Sequence, residues 1–159
     1  MSEEQSVTEQ VPAPEMARRC AEAMWRDDYA SRALGMTIEE VAPRYARISM
    51  SVRKDMLNGH ASCHGGLIFT LADSAFAFAC NWSNRLTVAS SGTIEFLAPA
   101  REEDLLTAIA EERSRSGRTG VYDATVTNQA GDLVALFRGR SYTLHGQLVD
   151  GLELDDAGR

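Results

Sequence analysis

The sequence predicts a single α+β domain in which a curved antiparallel sheet of about six strands wraps around one long buried helix. The segment 64–83, HGGLIFTLADSAFAFACNWS, is apolar on nearly all sides, which is typical of a buried helix. Six runs of strand character surround this segment, and four of them follow it in succession. A chain of 159 residues with 44% hydrophobic residues also has the size and apolar content of one globular domain.

The remaining elements follow from hydrophobic periodicity. Apolar residues recur at helical spacing in 15–28, which predicts a short amphipathic helix. The alternating runs 36–41 and 46–52 predict two half-buried strands. Later strand-like runs cover 86–97, 105–114, 119–128 and 133–144. Short breaks rich in Pro, Gly and polar residues separate these runs, so we expect the last four strands to pair in succession as a meander.

The acidic character of the chain lies at its two ends. The first fifteen residues contain four glutamates and no basic residue, and residues 146–159 have a net charge of −3, which together give the net charge of −7. Both ends are short, polar and weakly patterned, so we expect disordered tails at 1–14 and 146–159 around a domain spanning 15–145. Because residues 16–145 are electrically neutral, no nucleic acid is expected as a partner.

The sequence also makes predictions about location and cofactors. The amino terminus, MSEEQSVTEQ, lacks the basic and apolar regions of a signal or transit peptide, so we expect a cytoplasmic protein. The apolar helix is shorter than the ~20 residues that span a bilayer and contains a carboxylate, so no membrane association is expected. The spacing of Cys20, Cys63 and Cys80 is typical of reduced thiols, and neither a metal nor a cofactor is predicted.

Asp73 is the first candidate functional residue, because it lies in the middle of the apolar helix. Its neighbours one turn away are Phe69, Thr70, Phe76 and Ala77, and none of them is charged. Buried carboxylates without partners are rare and costly, which favours a functional site. The alternative is a carboxylate on an ordinary subunit or solvent face.

The segment CHGG at 63–66 opens this helix and supplies further candidates. Its two glycines expose backbone N–H groups that lack partners within the helix and that favour an anion or oxyanion, although paired glycines also serve tight packing alone. His64 is either a catalytic base or a residue that supports the loop. Asn58-Gly59 fits a simple turn when considered by itself. The sequence contains no nucleophile elbow, phosphate loop or dinucleotide fingerprint.

Several segments resemble the PaaI-type phenylacetyl-CoA thioesterases of the hotdog superfamily. They are MLNGHASCHGGLIFTLADSAFAFACN at 56–81, TIEFLAP at 93–99, TGVYDATVTN at 119–128 and VALFRGRSY at 134–142. The most specific motif is N-G-H-x-x-C-H-G-G with an aspartate eight residues beyond Gly65. The resemblance covers roughly residues 16–145 and implies a hotdog fold.

The same resemblance implies an activity and its residues. The expected reaction is the hydrolysis of an aryl-acetyl-CoA, such as phenylacetyl- or hydroxyphenylacetyl-CoA, in phenylacetate degradation. Asp73 would be the general base or the nucleophile, and the backbone N–H of Gly65 would polarise the thioester carbonyl. Asn58 would place the attacking water or the substrate, and His64 would support the loop. A carboxylate and an aimed N–H group suit this chemistry.

Coenzyme A is a polyanion, so we expect local positive charge near its phosphates. Arg138 and Arg140 are two residues apart on one predicted strand and therefore share a face. Arg118, beside Thr119 in the preceding turn, is expected near the same groove. Each arginine also fits an ordinary solvated position on a strand.

The spacing of Gly65 and Asp73 predicts an oligomer if both act on one thioester. Eight positions of a helix correspond to ~12 Å, whereas a water held between the two groups requires a gap of roughly 6 to 7 Å. A two-fold axis between antiparallel helices brings Gly65 of one subunit opposite Asp73 of another. We therefore expect a homodimer with shared sites, assembled into a homotetramer as a dimer of dimers.

Two other functions are compatible with such a fold. A non-catalytic module that binds or senses acyl-CoA would have little use for a carboxylate beside the thioester. A hotdog enoyl-CoA hydratase would need an acid and a base around an unsaturated acyl chain, and the motif fits the thioesterase pattern better.

Overall fold

The computed structural model describes residues 8–157, which contain three α-helices and eight strands. The helices are α1 (Ala13–Asp27), α2 (Tyr29–Ala33) and α3 (Gly65–Cys80). The strands are β1 (Glu9–Val11), β2 (Thr37–Ala42), β3 (Tyr45–Ser51), β4 (Thr87–Phe96), β5 (Leu105–Ser116), β6 (Thr119–Thr127), β7 (Leu133–Thr143) and β8 (Leu152–Leu154). A short 3-10 turn, Lys54–Met56, lies in the loop between β3 and α3.

Six strands form one antiparallel sheet in the order β2-β3-β5-β6-β7-β4, and α3 packs on one of its faces. The ring of Phe76 in α3 lies 5.4 Å from that of Tyr122 in β6 and 5.9 Å from that of Phe137 in β7. Gly139 of β7 makes this approach possible, because a Cβ atom there would lie 2.8 Å from the Phe76 ring. The α+β architecture expected from the sequence, with a six-stranded antiparallel sheet around a buried helix, is confirmed.

The prediction of a four-strand meander is wrong at its first step. β5, β6 and β7 pair in succession, but β4 pairs with β7 at the edge of the sheet and β5 pairs with β3. The link 97–104 runs along the end of the sheet, where the N–H groups of Leu97 and Ala98 donate to the Val134 carbonyl at 2.9 and 3.2 Å. Eight residues easily span three strand spacings of about 4.8 Å, so this break does not require a hairpin.

The prediction that 1–14 and 146–159 are disordered tails is wrong for the described parts of both segments. β1 and β8 form a two-stranded parallel sheet, and α1 begins at Ala13. Val11 and Leu152 are buried together with Met16 and Cys20 of α1. Such a small cluster needs few apolar residues, so the hydrophobic pattern of these segments is too weak to reveal it in the sequence. Residues 1–7 and 158–159 lie outside the described residues.

Asn84 secures this second cluster from the loop after α3. Its side-chain oxygen accepts hydrogen bonds from the N–H groups of Leu148 and Val149 at 3.0 and 2.8 Å. Its side-chain nitrogen donates to the carbonyls of Val149 and Leu152 at 2.7 and 2.9 Å. These four bonds satisfy a buried amide completely and fix the segment that leads into β8.

Candidate active site

The loop before α3 is closed by the side chain of Asn58. Its Oδ1 atom accepts hydrogen bonds from the N–H of His60 at 2.9 Å and from the Ser62 hydroxyl at 3.2 Å, and its backbone N–H donates to the Ser62 carbonyl at 2.8 Å. Because only the oxygen can accept from an N–H group, these contacts define the orientation of the amide. The amide nitrogen of Asn58 has no acceptor among residues 8–157, so it is available to a ligand.

The first turn of α3 leaves one backbone donor free. The Nδ1 atom of His64 accepts from the Gly66 N–H at 3.0 Å, and the His64 carbonyl accepts from the N–H groups of Leu67 and Ile68. His64 is therefore the N-cap of the helix. Of the first four N–H groups of α3, that of Gly65 alone has no acceptor within the described residues, which is the arrangement that an oxyanion requires.

Phe96 of β4 explains why residue 65 is a glycine. A Cβ atom on Gly65 would lie 2.9 Å from the Phe96 ring, so a side chain there would collide with it. Phe96 also lines a cavity of about 370 Å³ beside the free N–H group. The other lining residues belong to the loop before α3, to α3 itself and to the link after β4: Asn58, Ser62, Cys63, Gly65, Ile68, Leu97, Ala98 and Pro99.

Asp73 lies on what we call the open stripe of α3, which consists of Gly66, Thr70, Asp73 and Ala77. These residues are exposed or half-buried, whereas the opposite side of the helix is buried in the core. No hydrogen bond or ion pair to the Asp73 carboxylate exists within residues 8–157. Partial burial raises its pKa above the ordinary value of 3.8, because the charged form loses water. A carboxylate with a raised pKa is a stronger base.

Within one chain, the carboxylate and the free N–H group do not share a cavity. Gly65 and Asp73 are separated by eight positions, or ~12 Å along the helix. The cavity beside Gly65 is lined by Asn58 and Phe96 and does not include Asp73. The sequence-predicted residues Asn58, His64 and Gly65 therefore come together, while Asp73 lies two turns further along α3.

The two predicted arginines of β7 lie on the other face of the sheet. Gly139, between them, contacts α3, so Arg138 and Arg140 point away from it. The Arg138 guanidinium binds Asp123 of β6 at 2.6 and 2.8 Å, and this contact holds the pKa of the Asp123 carboxyl below its ordinary value. Both arginines are exposed, but the charge of Arg138 already has a partner.

Arg118 lies in the turn between β5 and β6, and Thr119 is the first residue of β6. The Nε atom of Arg118 donates to the Thr143 carbonyl at 2.9 Å, and the Thr119 hydroxyl donates to the Ser116 carbonyl at 3.1 Å. Thr119 pairs with Tyr142 near the end of β7, beside the first residues of β4. A ten-residue strand spans about 30 Å, so this turn is far from the Gly65 end of the same chain.

Sequence reasoning missed the aromatic wall of the site. The segment at 93–99 predicted a strand and a turn. The Phe96 side chain covers Gly65 only because β4 lies at the edge of the sheet, a position that the meander prediction excluded.

The described residues contain no candidate metal site, because no group of three His, Cys, Asp or Glu side chains in residues 8–157 is placed to hold an ion. Likewise, none of the described helices combines the length and apolar character needed to cross a membrane.

Comparisons with known proteins identify the family to which this fold belongs. Residues 60–135 match the thioesterase superfamily. The acyl-coenzyme A thioesterase PaaI of Escherichia coli is 47% identical over 129 residues, which cover 81% of this chain and 92% of the relative. The structure of the E. coli PaaI protein from the phenylacetic acid degradation operon superimposes with a TM-score of 0.84 and 45% identity, covering 85% of this chain and 98% of that one.

A more distant solved structure contains a ligand. A hypothetical thioesterase from Streptococcus pneumoniae with coenzyme A is 26% identical, with a TM-score of 0.67, and the match covers 70% of this chain and 90% of that one. The fold and these relatives thus define a hotdog-fold thioester hydrolase. The chain belongs to the thioesterase superfamily, and its resemblance to the PaaI-type enzymes is confirmed.

Proposed function

We propose that this thioesterase hydrolyses acyl-CoA, with aryl-acetyl-CoA esters such as phenylacetyl-CoA as its substrates, at sites shared between two subunits. The name and the operon of the E. coli relative support this substrate, and coenzyme A in the S. pneumoniae structure supports the class. The observation that carries the proposal is the free Gly65 N–H beside an aromatic-walled cavity, on the same helix as the unpartnered Asp73 carboxylate.

The proposed chemistry uses this pair of groups directly. The Asp73 carboxylate takes a proton from water as the water oxygen attacks the thioester carbon. The Gly65 N–H stabilises the negative charge that develops on the carbonyl oxygen, an interaction whose removal typically lowers the rate about 10²- to 10³-fold. The carbon–sulfur bond then breaks, and the proton passes to the leaving thiolate. If Asp73 is instead the nucleophile, it displaces the thiolate to form a mixed anhydride, and a single turnover in ¹⁸O water labels the Asp73 carboxylate when water attacks the aspartyl carbon of that anhydride.

A site shared between two subunits removes the conflict between the ~12 Å that separate Gly65 and Asp73 along one helix and the shorter gap that the reaction needs. Two α3 helices placed antiparallel along their open stripes set Gly65 of one subunit near Asp73 of the other. The stripe supports this packing, because Gly66, Thr70 and Ala77 are small. The edge strand β4 also favours it, since β7 is its only neighbour within the described residues and an unpaired edge is a ready surface for a second strand.

The dimer of dimers remains part of the proposal. Leu105, Leu133 and Leu136 are exposed, at 43%, 38% and 41% of their surface. Because large exposed apolar groups on a sheet favour association, a second interface on the sheet is expected. We also place the reaction in the cytoplasm, which agrees with the three free cysteines.

Mixed subunits test the shared site. Asp73→Asn removes the base, and Gly65→Pro removes the donor N–H while keeping a residue that the first turn of a helix tolerates. Mixed dimers would hold one interface with both changes and one with neither. An equal mixture of inactive subunits should therefore recover about one quarter of the wild-type rate, by random pairing of two equivalent sites.

The collision with Phe96 requires a control for this experiment. A proline ring at 65 would press on the Phe96 ring, so the donor-deficient subunit also carries Phe96→Ala, and the single Phe96→Ala variant sets its reference rate. Subunit exchange is verified with two affinity tags. If exchange occurs and activity does not return at any ratio, the shared site is wrong.

A substrate panel separates the thioesterase from its alternatives. Release of free thiol from phenylacetyl-, hydroxyphenylacetyl-, hexanoyl- and crotonyl-CoA is measured without added metal. We expect fastest turnover with the aromatic substrates. Binding without thiol release would indicate a sensing module, and hydration of crotonyl-CoA without thiol release would indicate a hydratase.

A further inference from the structure

A second cavity, which we call the edge cavity, lies between α1 and β2. Its volume is about 590 Å³, which is in the usual range for a small-molecule site. Its apolar lining residues are Ala21 and Trp25 of α1, Ile38 and Val41 of β2, and Met36 just before β2. We propose that the edge cavity binds an organic cation with an apolar body.

The edge cavity is remote from the candidate active site. In the sheet order β2-β3-β5-β6-β7-β4, five strand spacings of about 4.8 Å separate β2 from β4, or about 24 Å along the sheet. The edge cavity shares no lining residue with the cavity beside Gly65, which lies against Phe96 of β4. A dimer formed along α3 and β4 would leave the edge cavity uncovered. The inference therefore does not rest on the proposed function.

The aromatic wall of the edge cavity is held in a defined position. Ala21 and Trp25 lie one turn apart on α1 and therefore share a face. The Trp25 ring lies 6.1 Å from the ring of Phe78 in α3, and Trp25 is only half-buried. On the other wall, the Met36 N–H donates to the Ser31 carbonyl at 3.1 Å, which fixes the start of β2. An indole ring attracts both apolar groups and cations.

Glu39 supplies a negative charge at this cavity. The register of β2 against β3 is shifted between Ile38 and Glu40, so Glu39 is the extra residue of a bulge, and bulges re-aim side chains. The Glu39 carboxylate accepts a hydrogen bond from the Ser49 hydroxyl at 2.5 Å. This donor is neutral, and no ion pair to Glu39 exists within residues 8–157. The carboxylate is therefore held in place while its charge stays uncompensated.

The other charges that line the edge cavity have partners. Arg18 pairs with Glu22 and also with Glu15, to which its Nε atom donates at 3.0 Å. Glu40 pairs with Arg47 of β3 at 3.3 Å. Because these pairs already balance their charges, the charge left for a ligand is that of Glu39. The cavity thus offers one carboxylate beside an apolar and aromatic wall.

This combination favours one class of occupant. An anion would meet the uncompensated carboxylate, and a neutral apolar molecule would leave its charge without a partner. A second copy of the chain is also disfavoured, although the edge of β2 has no strand beside it within the described residues. Two β2 strands paired about Glu39 and Glu40 would set like charges opposite one another. A small organic cation fits both the charge and the wall.

Tryptophan fluorescence reports on the edge cavity directly, because the chain contains only two tryptophans, Trp25 and Trp82. In a Trp82→Phe variant all tryptophan emission comes from Trp25. The probes are 2-phenylethylammonium, which has both features, ethylammonium, which has the charge alone, and 2-phenylethanol, which has the apolar body alone. We expect a saturable change with the first probe and binding about tenfold weaker or worse for the other two.

Calorimetry on the chain with both tryptophans identifies the carboxylate. Glu39→Gln keeps an acceptor for the Ser49 hydroxyl and removes the charge, so 2-phenylethylammonium should bind about tenfold more weakly, as for the loss of one charge-assisted hydrogen bond. Glu102→Gln, an exposed position in the link after β4, is the matched control for net charge and should bind like the wild type. Asp73→Asn should also bind like the wild type, because its carboxylate does not line the edge cavity.

Four outcomes would overturn the proposal. The first is that 2-phenylethylammonium gives neither a saturable heat nor a saturable change in Trp25 emission. The second is that 2-phenylethanol binds as tightly as the ammonium probe. The third is that Glu39→Gln binds the ammonium probe as tightly as Glu102→Gln. The fourth is that binding is lost in Asp73→Asn, which would assign the probe to the candidate active site.

Discussion

The polar groups at the start of α3 have hydrogen-bond partners, whereas the carboxylate in the middle of α3 has none among residues 8–157. At the start, the side-chain oxygen of Asn58, the His64 ring and the His64 carbonyl accept from almost every donor, and only the Gly65 N–H remains. In the middle, the Asp73 carboxylate lies on the same helix with no partner among residues 8–157, and burial raises its pKa.

This difference separates the groups that stabilise the fold from the group that would carry out the reaction. A well-capped helix start contributes to the stability of the fold and also aims one donor at the cavity. The unpartnered Asp73 carboxylate lowers the stability of the fold at neutral pH, because its raised pKa means that the charged form is disfavoured in the folded state. Changes at the start of α3 should therefore lower stability and rate together, whereas Asp73→Asn should lower the rate without lowering stability.

The largest effect is expected for Asp73→Asn, which keeps the shape of the side chain and removes the base. We expect kcat to fall at least about 100-fold. The melting temperature at pH 7 should be no lower than that of the wild type, because the variant no longer buries a charge. Asp150→Asn, an exposed carboxylate outside the site, is the matched control. Near-full activity of Asp73→Asn would end the assignment.

The pH profile gives a second measurement on the same residue. The base acts only when deprotonated, so kcat/KM should fall as the pH drops through the pKa of Asp73. Because burial raises that pKa, the acid limb should lie above 3.8, the ordinary value for an aspartate. A profile that is flat down to the acid unfolding transition would contradict this role.

Substitution of Asn58 should have an intermediate effect on the rate. Two variants separate the role of its side-chain oxygen from that of its side-chain nitrogen. Asn58→Ala removes both the loop-closing oxygen and the free amide nitrogen, and we expect a loss of about tenfold through positioning. Asn58→Asp keeps an acceptor for the His60 N–H and the Ser62 hydroxyl but removes the donor. If both variants lose activity equally, the donor places water or substrate; if only Asn58→Ala does, the residue acts through the loop.

His64 distinguishes a cap from a catalytic base. His64→Ala should lower the free energy of unfolding by about 1 kcal/mol, the usual cost of losing an N-cap, and reduce kcat less than Asp73→Asn does. His64→Asn keeps an acceptor for the Gly66 N–H and should restore both quantities. A variant that regains stability without regaining activity would show that the ring itself takes part in the reaction.

The smallest effect is expected for the thiols. Cys63 and Cys80 are buried, which raises the pKa of the Cys63 thiol and raises the pKa of Cys80 to about 12. Thiols that stay protonated react slowly, so iodoacetamide at pH 7 should leave the rate unchanged. Mass spectrometry during turnover should detect no acyl-cysteine, and its detection would replace Asp73 as the acting group.

The residues that could be found from sequence are those that conflict with their surroundings. Asp73 interrupts an apolar helix, and the glycines at 65 and 66 begin it, so both were visible as candidates. The strands were visible because their alternation matches burial in β6 and β7. These signals are local, and each depends on only a few neighbouring residues.

What the sequence did not reveal depends on distant parts of the chain. The edge position of β4 is decided by its pairing with β7, and only that position brings Phe96 onto Gly65. The backbone of Leu86 likewise bonds Leu144 and Gly146, which lie 58 and 60 positions further along the chain. The parallel pairing of β1 with β8 is longer in range still, and a three-residue strand has no periodicity to detect.

The pairing of residue 9 with residue 152 also has a consequence for the order of folding. Since closing a long loop is entropically slow, β1 and the face of α1 that it covers cannot reach their final state during synthesis until β8 has left the ribosome. The central sheet and α3 have no such dependence, because their pairings end at Thr143. Met16 and Cys20 therefore remain without their final apolar neighbours, and open to chaperones, for longer than the residues around α3.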